Sequence, residues 1–300
     1  IQELLSGEYK IFAVVRKGTK RKDLLFSSEK IEVCKLDMEE YRFLPEKIAA
    51  QCDACIMLAW NGTRGKARED WRIQEKNYKY SMECLKAAHL LGCSKVISAG
   101  SQAEYGAMAG ITTEESVCAP NTAYGKAKLL FYQDAARYCA RQGISFKEPR
   151  FFSLYGAHDN PQTMVISILS AMRDNVRCDL TQCLQQWNFL HIEDAVRGIR
   201  MLLEKECGDG VYNFASSDTR RLKEFIEEMY QITGSKSSLC YGAVPYPVSG
   251  MVSMHPSAER LHRETGWAAN VSFAEGIQQI LKIMEKEEAY EKDICACANV

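Results

Sequence analysis

The sequence predicts an α/β chain built on a Rossmann-like, doubly wound parallel sheet, followed by a smaller C-terminal lobe. Three observations predict it. Short aliphatic runs alternate with longer amphipathic ones through the first half. The short runs are apolar throughout rather than on alternate residues. After residue 150 the rhythm loosens into shorter elements, with prolines at 245, 247 and 256. Continuous apolar strands separated by helices mean a parallel sheet covered on both faces. Such sheets bind ligands at the carboxyl ends of their strands.

Taken in order, "IQELLSGEYKIFAVVRK" reads as the end of a helix, a turn at Gly7 and a strand over 9–15. Further strands are expected at 31–36, 54–60, 94–100 and 144–150, with helices at about 43–51, 70–91 and 123–142. The last of these carries apolar residues at the three-to-four spacing of one buried face. Beyond 150 the pattern gives a helix at about 163–173, strands near 177–180 and 187–190, and a helix at 193–204. A strand at 211–214 and helices near 222–231, 257–265 and 273–287 complete it. The charged "MEKEEAYEKD" is a solvated helix end.

Composition narrows the function classes. A length of 300 residues, 46% hydrophobic and 26% charged, is that of a globular protein with a sizeable core. A formal net charge of −1 argues against attraction to nucleic acid or to an anionic membrane, so an anionic ligand must be held by local groups. No run approaches the roughly 20 apolar residues of a membrane span, and nothing resembles a signal peptide, so the chain reads as cytoplasmic. Thirteen cysteines lie singly in apolar segments, as reduced thiols do. Cys52 and Cys55 form a C-x-x-C, but it runs into an apolar strand without a second pair, and Cys295 and Cys297 are equally isolated. No metal site is expected.

The chemistry concentrates in two segments. In "NTAYGKAKLL", Tyr124 and Lys128 lie four residues apart at the start of a helix, on one face. An ammonium at that distance favours the phenolate and lowers the tyrosine pKa, which suits proton exchange at a carbonyl or alcohol. Alone the pair is a common structural one. Its context is "ISAGSQAEYG" (97–106), where a buried strand ends in a small, polar loop carrying Ser101. Strand end and helix start meet at one edge of the sheet, where a hydroxyl can polarise the carbonyl that the tyrosine protonates. "AWNGTRGKARED" brings Arg64 to the same edge, where a guanidinium can grip a phosphate or sugar oxygen.

The chain resembles the extended short-chain dehydrogenase/reductases, also called the NAD-dependent epimerase/dehydratase family. The resemblance rests on "SAGSQAEYG" (98–106), "YGKAK" (124–128), "PRFFSLYG" (149–156), "WNFLHIEDAV" (187–196) and "ETGW" (264–267), in the right order over nearly the whole chain. It implies a triad of Ser101, Tyr124 and Lys128. It also implies an NAD(P)-binding domain over 1–150, to which 185–204 returns, and a substrate-binding lobe over 151–300. The family's first strand and glycine-rich phosphate loop would precede the helix that ends near Gly7, and neither is found. Relatives that dehydrate nucleotide sugars carry an Asp-Glu pair directly after the catalytic hydroxyl. Here Gln102 and Ala103 stand there, which points away from dehydration.

The resemblance also places the cofactor and the substrate. Arg16 and Lys17 stand where NAD-preferring relatives carry an acid, which suits the extra phosphate of NADP, with NAD the alternative and a solvated basic turn the bland one. Asp37 would contact the adenosine end, Ala59 would lie along the cofactor, and Asn77 matches a supporting asparagine. Arg64, Ser101, Gln102 and Ser153 would line the substrate, Ser153 replacing a usual asparagine. His191 and Asp194 are read as structural. The implied branch is that of the abequose and paratose synthases, which reduce a nucleotide-linked 4-keto-6-deoxyhexose. A nucleotide-sugar epimerase is the near alternative, and a non-catalytic dinucleotide sensor or scaffold the distant one. A homodimer through the helices at 70–91 and 123–142 is expected.

Overall fold

The computed structural model describes residues 1–19, 28–108, 110–246 and 251–297, the last eleven by backbone alone. The continuation of the basic turn beyond residue 19, Pro247, and the side chains of Cys295 and Cys297 therefore lie outside the described residues. So do most side chains of the charged C-terminal segment.

Helix α1 (Gln2–Leu5) leads into β1 (Ile11–Val15) and β2 (Ile31–Lys35), a parallel pair. A 3-10 turn (Met38–Phe43) and α2 (Leu44–Lys47) replace the single helix expected over 43–51. The Glu40 carboxylate takes the Asp37 amide and starts the helical turns early, while Pro45 opens α2 and extended Ile48 ends it. Then come β3 (Ala54–Met57), α3 (Trp71–Leu90), β4 (Lys95–Ser98), β5 (Gly100–Ser101), α4 (Ala123–Gln142), β6 (Ser145–Phe151) and β7 (Ser153–Tyr155). The distal half contains α5 (Met164–Arg173), β8 (Cys178–Leu180), β9 (Gln186–His191), α6 (Ile192–Glu204), β10 (Gly210–Phe214), β11 (Thr219–Arg221), α7 (Leu222–Thr233), β12 (Leu239–Tyr241), α8 (Glu259–Thr265) and α9 (Phe273–Cys297). The strands missed by the sequence reading, β5, β7, β11 and β12, are two or three residues long, too short for periodicity to register.

The main sheet runs β10-β6-β4-β3, all parallel, with β5 extending the pairing along β6. Among the described residues the β1–β2 pair is not hydrogen-bonded to it. After residue 150 the chain returns to the main sheet through β10 and packs α6 against it, while β9 of the 185–204 segment pairs with β7 and β11 in a separate sheet. Leu202 and Leu203 of α6 share a buried cluster with Ile97, Tyr212, Phe214 and Trp267. On the opposite face α3 and α4 bury Leu85, Ala88, Phe131 and Ala135 against Val96 and Phe146. The distal lobe has its own core, centred on Tyr155, Leu169, Phe189, Phe225 and Ile277. Asp194 joins the two parts: its carboxylate accepts the amides of Asn270 and Val271 at 3.0 and 2.9 Å, and its carbonyl accepts the Trp267 indole.

Candidate active site

Ser101 sits where β5 gives way to a 3-10 turn over Gln102–Glu104. Its hydroxyl accepts the Ala103 amide at 3.2 Å, and its own amide donates to Glu104 Oε1 at 2.8 Å. This reciprocal capping fixes the loop without periodic structure. Two close approaches then press it onto α4 and onto the segment before that helix. A Cβ on Gly125 would lie 2.3 Å from the Ala103 carbonyl oxygen. One on Gly106, which has φ +78°, would lie 1.9 Å from that of Ala119. Only glycine allows these contacts. Thr122 caps the helix by accepting the Gly125 amide at 3.0 Å.

The result is that Ser101, Tyr124 and Lys128 come together. The Tyr124 phenol is buried and lines the same cavity as Ser101. Burial raises its pKa, and the Ser101 hydroxyl and the nearby Arg68 only partly offset this. The expected lowering by Lys128 is therefore corrected. The Lys128 ammonium is turned onto the Ala99 carbonyl at 2.6 Å and lies 3.9 Å from the centre of the Trp60 ring. Burial brings its pKa down to about 8, against the pull of Glu104 and Glu148.

Behind the triad is a buried charge cluster that the sequence reading missed. Arg150 donates to Glu104 Oε2 from Nε at 3.0 Å and from Nη2 at 2.9 Å, and to Glu148 Oε1 at 3.1 Å. Its Nη1 reaches Cys118 Sγ at 3.2 Å, and its guanidinium stacks over the Tyr105 ring. Glu148 Oε2 has no hydrogen-bond partner among the described residues. Desolvation and the neighbouring Glu104 carboxylate raise the Glu148 pKa well above the carboxylate range. The available signal was a pair of charged residues, Glu148 and Arg150, inside a run otherwise read as a plain apolar strand. Glu104, the one acid in the Ser101 loop, is fully engaged with Ser101 and Arg150 and replaces no missing acid.

A cavity of about 540 Å³ opens over these groups, lined among others by Leu58, Trp60, Arg64, Ser101, Tyr124, Lys128, Ser153 and Asp159. Arg64 lines it, 3.6 Å from Asp159 on the loop after β7. Gln102, expected in the substrate site, follows Ser101 in the capped turn and does not line the cavity. Trp60 is held by its indole N–H to Gln74 at 2.8 Å, and Asn77 clamps both the amide and the carbonyl of Asn61, at 3.0 and 2.7 Å. Asn77 is thus a buried tie that seats the loop carrying Arg64.

Residues 1–215 match the family described as "NAD dependent epimerase/dehydratase family". The chain belongs to that family. A dTDP-glucose 4,6-dehydratase from Streptomyces griseus is 24% identical over 69% of this chain and 63% of its own length. A dTDP-4-dehydro-6-deoxyglucose reductase from Escherichia coli is 21% identical over 64% of this chain and 61% of its own. The chain therefore spans under two thirds of the length of these curated relatives. A UDP-glucose 4-epimerase from Thermotoga maritima, solved with UDP-glucose, superposes with a TM-score of 0.85 at 17% identity, over 95% of this chain and 94% of that one. At that identity the likeness is one of fold, and it matches the Rossmann-like parallel sheet described above.

Membership of an NAD dependent family makes the donor set worth testing against such a cofactor. The buried Lys128 ammonium has one oxygen acceptor among the described residues, Ala99 O. Two N–H groups remain to meet a ribose diol, so this end fits. The other predicted residues are at the ends of β1, β2 and β3, outside the cavity lining. Asp37 accepts the Lys17 amide at 3.3 Å, and the Lys17 ammonium is bound by Glu40 at 2.5 Å. Lys17 thus meets Glu40 in a solvent-exposed ion pair. Arg16 makes no ion pair among the described residues, and Ala59 is exposed just beyond β3.

Proposed function

We propose that the protein is an NAD(P)-dependent oxidoreductase that reduces a keto group, in the first instance the 4-keto group of a nucleotide-linked 6-deoxyhexose. The observation that carries this reading is the convergence of Ser101, Tyr124 and buried Lys128 on one cavity. A reduced nicotinamide, when bound, supplies the hydride. Ser101 Oγ donates to the carbonyl oxygen, Tyr124 gives that oxygen its proton, and the Lys128 ammonium would donate to the ribose hydroxyls. Arg64 faces the anionic nucleotide portion, where Asp159 now holds it, and Ser153 lines the sugar side. Gln102 and Ala103 offer no acid–base pair for eliminating water, and Glu104 is engaged elsewhere, so hydride chemistry without dehydration is favoured.

The division into an NAD(P)-binding part and a distal lobe that completes the substrate side belongs to the same reading. It is supported by the separate cores and by a cavity lined from both. No described residue forms a glycine-rich diphosphate cradle. The separation of the β1–β2 pair from the main sheet supports a place between them for the family's first strand and its phosphate-binding turn. NADP use would rest on Arg16. Packing of two copies through α3 and α4 is supported by Trp71, Leu90 and Leu130, apolar residues exposed on those helices. The test is to supply NADPH or NADH with a panel of nucleotide-linked keto sugars. Coenzyme oxidation stoichiometric with product supports the reduction. Turnover with a tightly held, recycled coenzyme means epimerisation, and binding without turnover means a sensor.

A further inference from the structure

One contact at the triad belongs to none of these roles. Arg68 closes a 3-10 turn over Gly65–Arg68, and its guanidinium lies over the ring of Tyr124, 4.6 Å from the centroid. The guanidinium is tethered by Nη1, which donates to the Thr63 carbonyl at 3.0 Å. Trp60 meets the same ring edge-on, with centroids 6.2 Å apart. The ring is thus held between an aromatic edge and a cation, both delivered by the segment that follows β3.

We propose that Arg68 is the positioning residue for Tyr124, fixing its ring and supplying the positive charge beside it that the four-residue spacing assigns to Lys128. The proposal rests on Tyr124 as the proton donor and says what holds and tunes that donor. The groups that face the phenol from its surroundings are Ser101 and Glu104 on the Ser101 loop, Glu148 on β6, Arg68 on the 3-10 turn and Lys128 on the same helix. The Glu104 carboxylate opposes ionisation, while the Ser101 hydroxyl and Arg68 favour it. The Lys128 ammonium is directed at Ala99 and Trp60. A cation over an aromatic face is attracted to it, and more strongly once the phenol has become phenolate. Buried Lys128, in contrast, loses its proton at about 8. The charge beside the tyrosine is therefore independent of the lysine that meets the coenzyme. Arg64, in the cavity lining, directly precedes the same short turn, so one loop delivers both cations.

The test needs neither coenzyme nor substrate. Protein is produced with 3,5-difluorotyrosine in place of tyrosine, which brings the phenols into a range where the fold survives, and the ¹⁹F signal of residue 124 is assigned by its loss in Tyr124→Phe. The signal is titrated in the parent protein, Arg68→Met and Arg68→Lys, with thermal unfolding confirming that all are folded. The expected result is a midpoint raised by about one unit in Arg68→Met and held near the parent value in Arg68→Lys. A midpoint in Arg68→Met unchanged from the parent overturns the proposal. Failure of the underlying reading would look different, since a Tyr124→Phe protein that keeps turnover removes the role of Tyr124 while leaving the Arg68-dependent shift in place.

Discussion

Gly125→Ala puts the strongest demand on this site. A Cβ at residue 125 falls 2.3 Å from the Ala103 carbonyl oxygen, 3.0 Å from its carbon and 3.0 Å from Pro120 Cβ. The first of these is about 1 Å short of ordinary contact. The obstacle is backbone, and the Ser101–Glu104 capping box leaves it little room to give. Overpacking of this kind costs about 3 kcal/mol at the upper end of its usual range. Alanine recovers about 1 kcal/mol of that through helix propensity. The net loss of about 2 kcal/mol lowers Tm by about 3–4 °C in a chain of this length. The functional effect is larger, because the displaced loop carries Ser101 and the helix carries Tyr124. A misplacement of about 1 Å costs on the order of 100-fold in turnover. The assay pairs calorimetry with keto-sugar reduction, using Lys126→Ala, on the exposed face of the same turn, as control. A Gly125→Ala protein with Tm raised and turnover kept would refute the close approach and the account of why the triad is assembled.

The buried charges give further expectations. Because Glu148 holds its proton in the fold above the pH at which the unfolded chain releases it, stability falls as pH rises from about 4.5. Glu148→Gln removes that dependence, so denaturant titration should find the variant gaining on the parent from pH 5 to 8, and a pH-independent difference would contradict it. Lys128 has a lowered pKa of about 8, so its charge is present below that pH and lost above it. Coenzyme affinity, measured by fluorescence quenching, should decline as pH rises through about 8, with no such limb in Lys128→Met. Arg64 and Asp159 form an exposed pair worth under about 1 kcal/mol. Arg64→Ala should leave Tm nearly unchanged while raising KM for the nucleotide sugar several-fold, with kcat kept.

Much of this was legible in the sequence. The expected helices 70–91 and 123–142 match α3 and α4 to within a residue, because long helices give periodicity room to register. The strand-to-loop transition at Ser101 and the one-turn spacing of Tyr124 and Lys128 located the cluster. What they could not show was direction. Spacing places Lys128 beside Tyr124, but the ammonium goes to a carbonyl three-dimensionally close and 29 residues away in the chain. The tyrosine's cation instead comes from Arg68, in a glycine-punctuated loop without periodicity. Glu104, Glu148 and Arg150 were hidden for a similar reason. Their meaning lies in three segments packing into one dry volume, and a charged residue in a short strand looks like an ordinary surface position until its partners are known. Lys17 shows the converse, a basic residue in a family cofactor position whose ammonium an acid 23 residues on already holds.

The central claim is that Tyr124 passes a proton to a substrate oxygen with Ser101 beside it. The most direct test is steady-state and single-turnover reduction of a nucleotide-linked keto sugar by Tyr124→Phe, with coenzyme binding and unfolding measured on the same preparation. Turnover should fall by at least about 100-fold, with coenzyme affinity and Tm close to the parent values. Turnover within a few-fold of the parent, in a folded protein that still binds coenzyme, would contradict it.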